Sequence, residues 1–512
     1  MYLILTASKD AYITNKILNN TYRATDANTG RAGTLDLFKL YNESDIDGET
    51  NPIELSRILL KFNLDTLQAL TGTSLDITDS SFKCELKLYN LLGPQATPSN
   101  FNIIAHPLAK SFDEGIGRDV AGFADLDVCN FATASFSNGA ANVWNEEGAN
   151  ASGLLGSNDI DFVASGSLGS GVENIHVTQN FVNGTEDLSL DITKIISGTI
   201  TEQIANNGIR LAFSGTEETD SKTRFVKRFG SRHSRNIFIR PQLHVSFDDS
   251  IQDHHENFLF DVSGSIFLKS YHRGQAANLV SGSSLTPIVG DECIRVTLRT
   301  GSYSKLLTAS QHTGSTTGAG LTGFYSASFA IPSNDTTVID FNTTLEQMVT
   351  RTGSITFEEY WHSIDGTVGF YTGSLTIKSP FKDTSFSQRK PVVKITNLNS
   401  TYSLKDKVRF RVFGLQGQSS SNKPAKTPRK TKSQIFENVF YRVVDSDSRK
   451  VVIPFSRGNR ATVCSTDSDG MYFDFHMNAL NLNRVYHFEF LVEDRGFEFR
   501  IDSPSTRFRI VN

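Results

Sequence analysis

Residues 56–67 read SRILLKFNLDTL. Ile58, Leu60, Phe62 and Leu64 fall on one face of an extended chain, and Arg57, Lys61 and Asn63 on the other. A period of two predicts a half-buried strand with one wet face. The same alternation recurs to the end of the chain. Leu243, Val245 and Phe247 share a face in IRPQLHVSF. Val408, Phe410 and Val412 alternate with Arg409 and Arg411 in KVRFRVFG. Tyr486, Phe488, Phe490 and Val492 line up in YHFEFLVED. Clusters of Ser, Thr, Asn and Asp separate these runs, as turns separate short strands. One helix is predicted in DLSLDITKIISGTITEQIANNG, where Ile192, Ile195 and Ile196 have helical spacing and Gly208 can end it. Many strands against one helix predict an all-β chain.

Three units follow from the pattern. Residues 1–248 hold strands such as YLILTAS, LDLFKLY, RILLKFNL, KCELKLYN and GIRLAFSG. The polar stretch DSIQDHH (249–255) interrupts them. Residues 249–388 hold GSIFLKSYH, ECIRVTLRTGS, GFYSASFAI, TVIDF, GSITFEEYW and GFYTGSLTI, and the two Gly-Phe-Tyr strands echo each other. Residues 389–512 hold six strands in about 120 residues, the spacing of an immunoglobulin-like sandwich. The expectation is three tandem β-sandwich domains, the first jelly-roll-like and the other two immunoglobulin-like.

Six segments of the first unit, in order, carry a family resemblance. SKDAYI (8–13) is similar to an opening Asp-x-Tyr strand. RILLKFNLDTL is similar to an Arg-x-Leu-x-x-Phe-Asp-Leu strand, with Asn63 where Asp is usual. CELKLYN is similar to the Ala-x-Leu-x-Leu strand that follows. SFDEGIGRD is similar to an aromatic-x-Glu-Gly turn, with Phe112 in place of Trp. VWNEEGANASGLLGSNDID is similar to a Trp-centred loop, and GSRHSRNIFIRPQLHVSF to a closing Ser-Arg-x-Ser…Arg-Pro-x-Leu-x-Val strand. Together they resemble the DNRLRE family of β-sandwich domains, found in surface, cell-wall and phage structural proteins. The insertion YNESDIDGETNPIELS departs from that pattern. The resemblance implies an accessory or adhesive sandwich with no shared catalytic residues. The Thr/Ser-Gly-Ser strand openings of the later units resemble modules of structural proteins in large tailed phages.

Composition narrows the rest. The 512 residues carry a net charge of −5, too mild to point to nucleic acid or a membrane surface. Cys84, Cys129, Cys293 and Cys464 are widely spaced, so neither a zinc motif nor a disulfide framework is expected. MYLILTASKD lacks the basic flank and apolar length of a secretory signal. No stretch reaches the ~20 apolar residues of a spanning helix.

Candidate chemistry is sparse. GAGLTG (318–323) spells a nucleotide fingerprint, but a strand follows it where a helix is needed, so a hairpin loop is expected. DHHE (253–256) is the most metal-like cluster, yet adjacent strand residues face opposite ways and a solvated linker is the better reading. SRHSR (231–235) reads either as an anion site or as a turn bonding neighbouring backbone, the latter favoured. Asp113/Glu114 with Asp159/Asp161 could form a carboxylate pair or hold a structural Ca²⁺; solvated loops are preferred. Trp144 and Trp361 read as packing residues. No catalytic, cofactor-binding or metal residue is expected.

A basic segment, 416–434, carries Lys423, Lys426, Arg429, Lys430 and Lys432 without interleaved aromatics. It reads as a polar, mobile arm that contacts an acidic neighbouring subunit. The overall expectation is a non-enzymatic virion protein of the neck, tail or baseplate. Its partners would be other virion proteins and copies of itself, with no cofactor, nucleic acid or membrane. The alternative is a tail adhesin that binds a host-surface glycan.

Overall fold

The computed structural model describes the whole chain except residues 72–73, 123–127, 170, 283–284, 314–319, 381–389, 416–432 and 495, and the side chains of 503–506. The chain is all-β, built from several sheets with a few short helices. Its residues group into two compact units. One comprises 3–68 and 83–245. The other comprises 246–512 together with 1–2 and 69–82.

The first unit is organised around the Ile53–Phe62 strand. It lies between Tyr2–Thr14 and Ile209–Phe213 in a ten-stranded sheet. Tyr12 faces Ile58 and Thr14 faces Ser56 in antiparallel register, whereas residues 53–55 pair instead with Thr34–Tyr41. The strand changes partners at Ser56. The Ser56 hydroxyl donates to Asp36 O at 2.9 Å and accepts from Phe38 N at 2.8 Å. A short hydroxyl can thus satisfy backbone groups that the changing ladder leaves behind.

Ile58, Leu60 and Phe62 are buried as the alternation predicts. The opposite face is wet only toward its end, where Lys61 is half-buried and Asn63 exposed; its start is covered, which corrects the sequence reading there. Leu59 packs with Ile13, Phe112, Phe131 and Trp144 in a second core. Arg57, also predicted to be solvated, is only 3% exposed. Its guanidinium clamps Glu218 at 2.9 and 2.8 Å, and donates to Gly148 O and Asn150. The loops around Trp144 roof this face, so the charge is buried with its partner rather than hydrated.

The predicted helix is shorter and later than expected. Leu188–Asp191 is a strand and the helix is Thr193–Ile200. Gly208, at φ +119, instead opens the turn into Ile209–Phe213.

In the second unit, strands from Gly264–Lys269 to Gly369–Lys378 form a six-stranded sheet with its own core. The sheet curls. Lys378 N donates to Phe258 O, and Phe260 N to Lys378 O, so the segment entering one edge strand also touches the end of the other. Trp361 and Tyr325 are fully buried in this core. Both Gly-Phe-Tyr segments bury the same later positions, Phe329 and Ile331 (just past the strand end) in one, Leu375 and Ile377 in the other. Residues 392–511 form a four-stranded and a five-stranded sheet. Their aromatic faces meet: Phe473 stacks on Tyr441 at 4.2 Å, and Phe410 lies 5.1 Å from Phe488. Arg409 and Arg411, on the other face of Lys407–Leu415, pair with Asp474 and Asp467.

Candidate functional site

Three of the family-like segments, far apart in sequence, meet in the first unit. Asp10 comes from SKDAYI, Glu114 from SFDEGIGRD, and Arg232 and His233 from SRHSR. A register shift between Ala7 and Lys9 marks an irregularity just before Asp10, and irregularities of this kind re-aim side chains. The backbone N–H of Asp10 then donates to Glu114 Oε1 at 2.9 Å.

The Glu114 loop is fixed by backbone approach. Asn28 donates to Glu114 O at 2.9 Å and to Cys129 O at 2.7 Å, and accepts from Gly117 N at 2.8 Å. A Cβ on Gly30 would lie 1.8 Å from Glu114 O, so only glycine fits there.

The SRHSR segment is a turn in its serines and a charged device in its next two residues. Ser231 Oγ donates to Ala32 O and accepts from His233 N, and Ser234 N returns to Ser231 O. Arg232 donates to both oxygens of Glu114, at 2.5 and 2.8 Å, and its N–H donates to Asp10 Oδ2. Its guanidinium is thus engaged by a carboxylate of the same unit. His233 Nε2 lies 3.4 Å from Glu114 Oε1. Asp10 is 1% exposed. Burial pushes its carboxyl up to about 7; the Arg232 N–H opposes the rise and the Glu114 charge adds to it.

The other candidates resolve differently. Asp161 is spent on the Trp144 loop, accepting from Asn145 N, Glu146 N and Ala151 N. Trp144 donates its indole N–H to Asn130 O and is buried. In DHHE the two histidines part. His254 Nδ1 faces the backbone of Ser265, whereas His255 sits between Asp253 at 2.6 Å and Glu359 at 2.8 Å. Trp361 Nε1 also donates to Glu359. Burial works against a charge on His255, but the two carboxylates outweigh it and push its pKa up to about 10. The glycines of GAGLTG that are described belong to a strand: Gly320 opens Gly320–Phe329 and Gly323 lies within it. All four cysteines are free. Lys423, Lys426, Arg429, Lys430 and Lys432 lie outside the described residues.

The second unit also holds a cavity of about 240 Å³ whose lining includes Tyr271, Phe324, Lys407, Arg409, Tyr472 and Asp474. The Arg409 guanidinium lies 4.2 Å from the centre of the Tyr472 ring.

Sequence reasoning discounted Glu114 and did not single out Asp10 or His233 as ligands. The one available signal was that all three lie in family-like segments. Their meeting depends on pairings across more than a hundred residues, which periodicity does not encode.

No family model matches the chain, and no curated protein matches it. Among solved structures, a biofilm-associated protein BSP domain aligns over 96% of this chain and 68% of its own, at 10% identity and a TM-score of 0.15. A putative membrane-anchored protein from Corynebacterium diphtheriae aligns over 100% and 97%, at 10% identity and 0.14. Trypsin-activated alpha-2-macroglobulin from Escherichia coli aligns over 89% and 23%, at 8% identity and 0.14. Scores this low transfer no property to this chain. Among the described residues, no helix is long and apolar enough to cross a membrane.

Proposed function

We propose that the chain is a non-enzymatic structural protein of a tailed-phage particle, placed in the neck, tail or baseplate. In this reading it consists of a DNRLRE-like β-sandwich (1–248), a β-sandwich module (249–388) and an immunoglobulin-like sandwich (389–512). It joins neighbouring subunits, including copies of itself, and the basic segment around Lys423–Lys432 contacts acidic neighbours.

The observation that carries the reading is the edge strand Gly369–Lys378, GFYTGSLTIK. It pairs with Ser354–His362 on one side. On its other side, among the described residues, it meets only the 258–260 segment, at Lys378. Nine residues without a charge precede that lysine. Isolated proteins guard such edges with charges, bulges or prolines. The register shifts at Phe370, near the start of the strand, and the uncharged edge beyond it, Tyr371–Ile377, suits strand addition by a neighbouring subunit, where backbone hydrogen bonds supply the affinity. Mass spectrometry of purified particles of the encoding phage tests the proposal. The chain should be a stoichiometric component, and a Thr372→Lys/Ser374→Lys variant, altered at exposed positions, should fold but incorporate poorly. Absence from particles, or normal incorporation of the variant, refutes it.

The cavity beside Tyr271 supports a second reading, a tail adhesin for host-surface glycan. Aromatic faces beside fixed charged groups suit a sugar ring and its hydroxyls. A glycan array that gives a hit lost in Tyr271→Ala would favour this reading over the first.

A further inference from the structure

Asp10, Glu114 and His233 each offer a ligand atom, and the three atoms lie within 4.8 Å of one another. Two observations make this more than a polar cluster. Asp10 is 1% exposed, and its Oδ1 has no hydrogen-bond partner among the described residues. His233 Nε2, also buried as an atom, makes no hydrogen bond either, with Glu114 Oε1 3.4 Å away. Buried polar atoms without partners are rare and costly. Here two belong to one cluster, and a single cation could take a lone pair from each.

We propose that Asp10, Glu114 and His233 bind a divalent transition-metal ion of the zinc class. The donor set decides the class. One imidazole nitrogen with two carboxylate oxygens suits Zn²⁺ and its neighbours, whereas Ca²⁺ and Mg²⁺ take oxygen ligands. The surroundings fit a ligand support. Arg232 grips both oxygens of Glu114 and fixes the carboxylate plane, as outer partners do at metal sites. Its positive charge also offsets the repulsion between the two carboxylates. Ser231 holds the turn that presents His233, and Asn28 holds the loop that presents Glu114. The ion would tie together three segments that the chain supplies from its beginning, middle and end of the first unit. The role is therefore structural.

The full-length chain, stripped with a chelator, is titrated with Zn²⁺ alone by calorimetry and with Co²⁺ by visible absorption. One ion per chain, a raised melting temperature, and at least tenfold weaker binding in both His233→Ala and Asp10→Asn are expected. No saturable Zn²⁺ binding overturns the proposal. So does binding that neither variant weakens, or Ca²⁺ binding of equal strength that His233→Ala leaves intact. If Asp10→Asn does not fold, His233→Ala decides alone, because that side chain is 27% exposed and its loss is tolerable to the fold.

Discussion

Two buried charges show how individual residues hold this molecule. Arg57 is sealed beneath the Trp144 loop with Glu218, whose side chain is 13% exposed. Glu218 is driven two ways: burial raises its pKa, while the charge and hydrogen bonds of Arg57 outweigh that and leave it lowered. Removing Arg57 leaves the carboxylate to Arg210, 3.8 Å away, and strands the carbonyl of Gly148. Arg57→Ala should therefore cost ~3 kcal/mol, the lower end of the range for breaking one side of a buried pair. Urea unfolding measures it, and a loss below about 1 kcal/mol would mean that the pair is hydrated after all. His255 gives the pH counterpart. Its folded pKa, about 10, stands above its ordinary 6.5. A raised base contributes stability that is complete below the unfolded value and is lost as pH climbs through the folded one. The stability gap between wild type and His255→Gln should be widest near pH 6 and narrow toward pH 10. A gap that stays constant across that window would mean that His255 is not the charged member of the triad.

Elements were more legible than their surroundings. Phe62 was readable from a period of two, and it is 2% exposed. Phe62→Asp buries an unpaired charge beside Leu60 and should abolish folding of the first unit, visible as loss of its melting transition. Unchanged melting would mean that the strand's register is different. Arg57 was misread because alternation reports one strand, not what roofs its far side. Phe112, Phe131, Ala134 and Trp144, supplied from later in the chain, decided that face. The helix Leu345–Thr352 was missed altogether, although Thr344 and Gln347 make a capping box and Gly353 ends it at φ 73. Its eight residues are too few to give a periodic signal against flanking strands. The ligand cluster was illegible for a third reason. Asp10, Glu114 and His233 are ordinary residues in their own segments, and only the sheet's long-range pairings assemble them.

At the scale of the whole molecule, sequence order and structural order part company. Residues 69–82 belong to the unit formed by 246–512, although residues 3–68, which precede them, belong to the other unit. The segment brings Leu70, Leu75 and Phe82, all at most 5% exposed. It is also tied by polar contacts. Ser81 Oγ accepts from Asp248 N at 2.9 Å, and Asn459 Nδ2 reaches Ser81 O at 3.2 Å and Ser246 Oγ at 2.6 Å. Each buried side chain of this size contributes roughly 1.5–3 kcal/mol, so the segment is a substantial part of a domain's net stability of about 5–15 kcal/mol. A fragment spanning 246–512 should therefore melt well below the same region in the full chain. Adding a peptide of residues 69–82 in trans should raise its melting temperature in a concentration-dependent way, as any ligand of the folded state does. Cutting the intact chain once near residue 245 should not have this effect, because the segment remains seated in the second unit. Calorimetry on the three samples separates these cases. If fragment and full chain melt together, and the peptide changes nothing, residues 69–82 are a passenger on the second unit rather than part of its core.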